Sequence, residues 1–229
     1  MAEQTPLVAG TAIVLRGAFN PAIFQPAWFA VEKLLPGEEA ESAKVEIVTS
    51  QITSFTTAWL TIQVTNDRFM AHTQLANMEL PLRDLVLATF RLLRHTPISV
   101  MGLNRDAHYE MGSAEAWHRI GNLLAPKERW EGLLNQPGTR SLTIEGTRPD
   151  KYEGYIRVKL EPSNVIPLGL FIEINDHFQF ATPPSSPGDP WKSDTESLIS
   201  SANMLAALEG AWDESFKRAR SLMEGVLKF

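Results

Sequence analysis

Leu60-Thr61-Ile62-Gln63-Val64-Thr65-Asn66-Asp67-Arg68-Phe69-Met70 is the stretch whose reading decides the fold. Leu60, Ile62 and Val64 alternate with Thr61 and Gln63, the period of a strand with one face buried and the other wet. Asn66-Asp67 supplies turn residues that lead the chain into Arg68-Phe69-Met70. Upstream, Val45, Ile47 and Thr49 alternate with Glu46 and Val48, which predicts a strand adjacent and antiparallel to the one at 60–64. Still further back, Ala12-Ile13-Val14-Leu15 reads as a buried strand, and Pro26 opens a helix that Pro36-Gly37 stops. Downstream, Leu82, Leu85, Val86, Thr89, Leu92 and Leu93 recur at helical spacing after Pro81. Pro97 ends that helix and Ile98-Ser99-Val100-Met101 forms another strand. The order β-α-β-β-α-β over residues 8–104 is the split pattern of ferredoxin-like domains.

The second half reads as α-β-β-β-α. Ser113 is an N-cap for a helix through Trp117, Ile120 and Leu124, and Pro126 opens a further helical turn. Strands follow at Leu142 and Ile144, at Ile156, Val158 and Leu160, and at Leu168, Leu170, Ile172 and Ile174. A final helix is expected from the Ser193/Glu196 capping pair, with a break near its middle. Its apolar stripe runs through Leu208, Trp212, Phe216, Ala219, Met223 and Val226, and Asp213/Lys217 and Glu214/Arg218 form i,i+4 pairs beside it. The expected fold is therefore α+β, with antiparallel sheets and helices on one face. It divides into a ferredoxin-like half at 1–110 and an associated half at 111–229, sharing an interface rather than joined by a flexible linker.

Composition removes several classes of function. The chain has no cysteine, so it has no disulfide, thiolate nucleophile, iron–sulfur ligand or Cys-type zinc site. A net charge of −6 opposes sequence-independent attraction to nucleic-acid phosphates. The opening residues 1–6 lack a secretory signal and no apolar run is long enough to span a bilayer, so a cytoplasmic protein without membrane contact is expected. No His-Glu-x-x-His helix, glycine-rich phosphate loop or Gly-x-Ser-x-Gly elbow is present, and neither a cofactor nor a metal is expected.

Two sets of candidate site residues remain. The segment 181–194 holds Pro183, Pro184, Pro187 and Pro190 beside Trp191, an extended loop whose tryptophan could close on its own core or anchor a partner. The other tryptophans fall mostly on core-facing positions. His108 and Glu110 share a strand face, and with Glu173, Asp176 and His177 they could line a ligand cleft between the two halves. The simpler alternatives are packing of Trp191 on the protein's own core for the loop, surface or capping roles for the histidines, and turn chemistry for the Glu173–His177 cluster.

The run Thr56–Phe69, the segment Ile98–Asn104, the strand Leu170–Asn175 and Trp212-Asp213-Glu214-Ser215-Phe216 resemble a family of sporadically distributed bacterial proteins of unknown function. That resemblance supplies no catalytic residues, and patchy distribution is compatible with mobile or defence-related gene clusters. Together these readings give a first expectation of a non-catalytic interaction subunit of a bacterial complex, defence or toxin–antitoxin associated, whose partner is another protein or itself. A small enzyme or ligand-binding protein is the alternative.

Overall fold

The computed structural model describes residues 4–181 and 194–228. The first half runs β1 (Val8–Gly17), α1 (Pro26–Val31), α2 (Gly37–Glu41), β2 (Lys44–Val48), β3 (Ile52–Thr56), β4 (Thr61–Thr65), β5 (Arg68–Thr73), α3 (Glu79–Leu92) and β6 (Ile98–Glu110). The second half runs α4 (Ala114–Leu124), β7 (Leu142–Thr147), β8 (Gly154–Pro162), β9 (Gly169–Gln179) and α5 (Asp194–Leu227). All the strands join one nine-stranded antiparallel sheet in the order β2-β3-β4-β5-β1-β6-β9-β8-β7.

Local chemistry accounts for several boundaries. Pro26 occupies the first position of α1, where its missing N–H costs nothing. The Ser113 hydroxyl accepts from the Ala116 amide at 3.2 Å and caps α4. At Asn66-Asp67 the chain reverses between β4 and β5, whose pairing places Val64 opposite Phe69.

Two apolar clusters fill the same side of the sheet. Ile13, Leu15, Ile62, Phe69, Met101 and Phe178 meet Phe29 of α1, Phe90 of α3 and Trp212 of α5 in the larger cluster. Ala107, Tyr109, Leu160 and Ile172 meet Ile120 of α4 and Met223 of α5 in the smaller. Phe19, Phe24, Phe69 and Phe90 pack at centroid separations of 5.0 to 6.4 Å, within the range where tilted and edge-on rings attract. No helix among the described residues is long and apolar enough to cross a membrane.

The structure corrects the sequence reading in four places. Where a ferredoxin-like half with four strands was expected, residues 8–110 hold six, and the sheet continues across the midpoint of the chain because β6 pairs with β9. The strands at 45–49 and 60–64 are not neighbours, since β3 lies between β2 and β4. β3 escaped notice because Thr53 and Ser54 are buried in it beside Phe55, which erases the apolar alternation. Finally, α5 is one unbroken helix of 34 residues, and of the five tryptophans whose surroundings are described only Trp212 is fully buried, Trp130 being half exposed. Ser193 of the expected capping pair lies outside the described residues.

Candidate functional site

Alternation along β9 sorts its polar residues to two faces. Leu170, Ile172, Ile174, Asp176 and Phe178 point toward the helices, whereas Phe171, Glu173, Asn175, His177 and Gln179 lie on the opposite, half-buried face.

On the helix side, Asp176 is buried inside an ion network. Its carboxylate pairs with Arg148, accepts from the Ser215 hydroxyl at 2.6 Å and lies 3.3 Å from Arg218. Arg148, itself buried, also holds Asp150 at 2.7 Å and lies over the Phe178 ring at 3.6 Å. Arg218 closes the circuit on Asp150 at 3.0 Å. Burial pushes the Asp150 carboxyl up, but Arg148, the Tyr152 amide and Arg218 more than offset it and hold the group below the ordinary carboxylate range. Arg218 therefore bonds across to the sheet rather than to Glu214 as its helical spacing suggested, and Glu214 meets Lys217 instead, at 4.0 Å. Two cations and two anions that satisfy one another leave no free group for a substrate. This network fastens the 148–152 turn to β9 and α5.

The opposite face carries polar rows that cross the strands. Asp106 sits directly opposite Gly10 on one side and Glu173 on the other, and Glu173 in turn opposes Lys159. In the next row His72, Ala12, Asn104, Asn175 and Arg157 stand in register. Asn175 donates to Asn104, but its own carbonyl oxygen is buried with no partner among the described residues. Burial raises the Glu173 carboxyl above the ordinary range; Lys159 opposes this and Asp106 adds to it. His177 stacks on Tyr155 at 4.2 Å with rings 9° apart, and burial holds its imidazole below the usual value.

One convergence on this face was not legible beforehand. A side chain added at Gly10 would meet Asp106 Oδ1 at 2.8 Å and His72 Nε2 at 2.9 Å, so a carboxylate and an imidazole lean over the same bare stretch of backbone. Neither group has a hydrogen bond or ion pair among the described residues. The sequence separates the three residues widely, and only the β5-β1-β6 register unites them.

The five cleft candidates are not gathered. His108 is buried, bonds Ser163 Oγ through Nδ1 at 2.8 Å and packs on Phe171. Glu110 is exposed at the end of β6 and opposes Gly169. Glu173 and His177 share the polar face two rows apart, and Asp176 is on the other side of the sheet. Pro183, Pro184, Pro187, Pro190 and Trp191 lie outside the described residues. Among the described residues there is no group of three or more His, Asp or Glu placed to hold a metal.

A separate cavity of about 420 Å³ opens beside the C-terminal end of α5, lined by Thr11, Glu79, Arg105, Tyr109, Arg220 and Glu224. Glu79 accepts there from Thr11 at 2.9 Å and from Arg105, whose guanidinium also lies 4.2 Å over Phe216. This pair too is internally satisfied.

One edge of the sheet is exposed along its whole length. Among the described residues β2 pairs with β3 alone, all five of its residues are exposed, and Val45, Ile47 and Val48 present 50%, 40% and 38% of their surfaces to solvent. At the other edge, β7 exposes the single large aliphatic Ile144, and its Glu145 is held by Arg157 at 2.6 Å. No family model matches this chain, and no curated protein is significantly similar to it.

Proposed function

We propose that the protein is a non-catalytic interaction module that recruits its partner by adding a strand to β2. The single observation that carries this reading is the exposure of β2. A terminal strand offers a row of backbone donors and acceptors, and natural sheets normally blunt such an edge with charge, proline or a covering element. Here Lys44, Glu46 and a bulge after Val45 are the devices of that kind in the strand, while three aliphatic side chains stay on the surface beside them. Backbone pairing at such an edge supplies affinity and alternate side chains supply selectivity.

A second apolar segment supports the same reading: Trp130, Leu133 and Leu134, joined by one turn of backbone hydrogen bonds, are each at least half exposed. Apolar residues grouped in this way more often mark a contact surface than the isolated leucines found on any protein. A bacterial complex, defence-associated or of the toxin–antitoxin kind, is the setting in which we place the module, on the strength of the family resemblance. Within the sheet we further read β1, β4, β5 and β6 as a ferredoxin-like unit to which the β2–β3 hairpin has been added, because their order β4-β5-β1-β6 and the helical crossover α3 have that form.

The test is to isolate the intact protein from its host and compare it with Ile47→Lys. A charge placed on the edge should abolish recovery of the partner while leaving the unfolding temperature within a few degrees of the parent. Equal recovery by both proteins would refute the reading.

A ligand-binding reading is favoured by one separate observation, the convergence of His72 and Asp106 over Gly10. An anion and a ring nitrogen in that arrangement suit a ligand bearing an amino or guanidinium group. Titration with arginine amide, followed through the His72 ring resonances, should give saturable shifts that Asp106→Asn removes; unmoved resonances would dismiss it.

A further inference from the structure

We infer that the partner of β2 is a second copy of the same chain, paired antiparallel about a twofold axis through Val45. This deepens the interaction reading above and rests on it. In this register Val45 meets its own copy, and each Lys44 stands opposite the other chain's Glu46. The side-chain directions agree with that arrangement. Lys44 pairs with Thr56 of β3, and Glu46 accepts from the Ser54 hydroxyl at 2.8 Å. Thr56 and Ser54 are two apart on one strand and share a face, so Lys44 and Glu46 share it as well. Val45 pairs with Phe55 and lies on the helix side, where the two valines would touch.

The alternatives are poorer. An antiparallel register centred on Glu46 sets Glu46 against Glu46, and a parallel, unshifted pairing sets Lys44 against Lys44; like charges directly opposite one another destabilise a sheet. Only the register through Val45 matches the cation–aliphatic–anion order of Lys44-Val45-Glu46 with itself. Lys44 makes no ion pair among the described residues, and the Glu46 carboxylate is engaged by one neutral hydroxyl, so both charges are available. Twofold pairing also closes on itself at two copies, whereas β2 docking on the β7 edge is a head-to-tail contact that builds a ring or an open fibre. The bulge between Val45 and Ile47 limits the ladder to a few residues, which makes the dimer weak and concentration-dependent.

Because the chain has no cysteine, Val45→Cys introduces the only thiol. Directly opposed residues of antiparallel strands have Cα atoms about 4.5 to 5.5 Å apart, inside the range a disulfide spans. Mild oxidation should convert Val45→Cys to a covalent dimer, while Val31→Cys, an exposed position on α1, should remain monomeric. Light scattering across a concentration series should show a monomer–dimer equilibrium. Lys44→Glu and Glu46→Lys should each weaken it about tenfold, and the Lys44→Glu/Glu46→Lys exchange should restore it.

A dimer that ignores both charge reversals, or that does not cross-link at Val45, overturns the register. A strict monomer whose partner from the host is lost in Ile47→Lys overturns self-pairing but leaves the edge reading standing. A strict monomer with unaltered partner recovery removes both.

Discussion

Asp176 and Glu173 stand three residues apart on β9 and have opposite surroundings. Asp176 faces the helices and is closed in by Arg148, Arg218 and Ser215. Glu173 faces the polar side, opposite Lys159 and beside Asp106, and burial raises its carboxyl. The odd spacing sends them to different faces, so residues that look like one acidic cluster along the chain serve two unrelated environments. The helix side stores stability in mutually satisfied charges. The other side keeps its polar groups incompletely paired, and so available.

The sharpest way to break this contrast is to remove one member of the closed network. Arg148→Met leaves the Asp176 carboxylate buried with only Arg218 and the Ser215 hydroxyl beside it, and should cost about 3–5 kcal/mol in chemical unfolding. Arg148→Met combined with Asp176→Leu should recover much of that loss, because replacing both buried charges removes the desolvation cost. A single variant as stable as the parent would mean that the network contributes nothing.

A smaller loss is expected at Ser215→Ala, which withdraws the 2.6 Å hydroxyl donor from Asp176 and should cost about 1–3 kcal/mol. Thermal unfolding followed by circular dichroism measures it, and a change within error would show that the two arginines alone satisfy the carboxylate.

How much of this was legible in the residues follows from whether the signal is local. The strands marked by residues 60–64, 156–160 and 168–174 and the stripe on α5 were readable because period 2 or period 3.6 is printed in neighbouring residues, although β8 and β9 span 154–162 and 169–179. β3 was not, because its buried Thr53 and Ser54 carry no apolar pattern. The joining of both halves into one sheet was not either, since the pairing of β6 with β9 spans tens of residues that say nothing of register. The Asp176 network had one clue: Ser215 interrupts the apolar stripe of α5 between Trp212 and Ala219, and a polar residue on a buried stripe asks for a partner. Gly10, His72 and Asp106 had none, because their meeting depends entirely on cross-strand register.

On the polar face the expected effects turn on pH. The folded-state value of His177 lies below the ordinary imidazole value of about 6.5, so the unfolded chain takes up the proton first. Its contribution to stability is therefore full above that value and is lost as the pH falls toward the folded-state value. His177→Phe retains a ring to stack on Tyr155 and should flatten the fall of stability on the acid side of the ordinary imidazole value, read from chemical unfolding across a pH series. An unchanged slope would assign the acid sensitivity to other groups.

The smallest effect should come from Gly10→Ala, and its comparison with Gly154→Ala is the most instructive. Gly154 has φ +136, and a side chain there would stand 2.0 Å from the His177 carbonyl oxygen, a backbone atom that cannot step aside. That substitution should cost about 2 kcal/mol or more. At Gly10 the obstructing atoms are the ends of the Asp106 and His72 side chains, at 2.8 and 2.9 Å, which turn about their own bonds as a backbone atom cannot. Gly10→Ala should therefore leave the unfolding free energy within about 0.5 kcal/mol of the parent while displacing the His72 ring resonances. A large loss of stability at Gly10 would mean that His72 and Asp106 are held rigidly by the fold, and the polar face would then belong with the helix side as architecture.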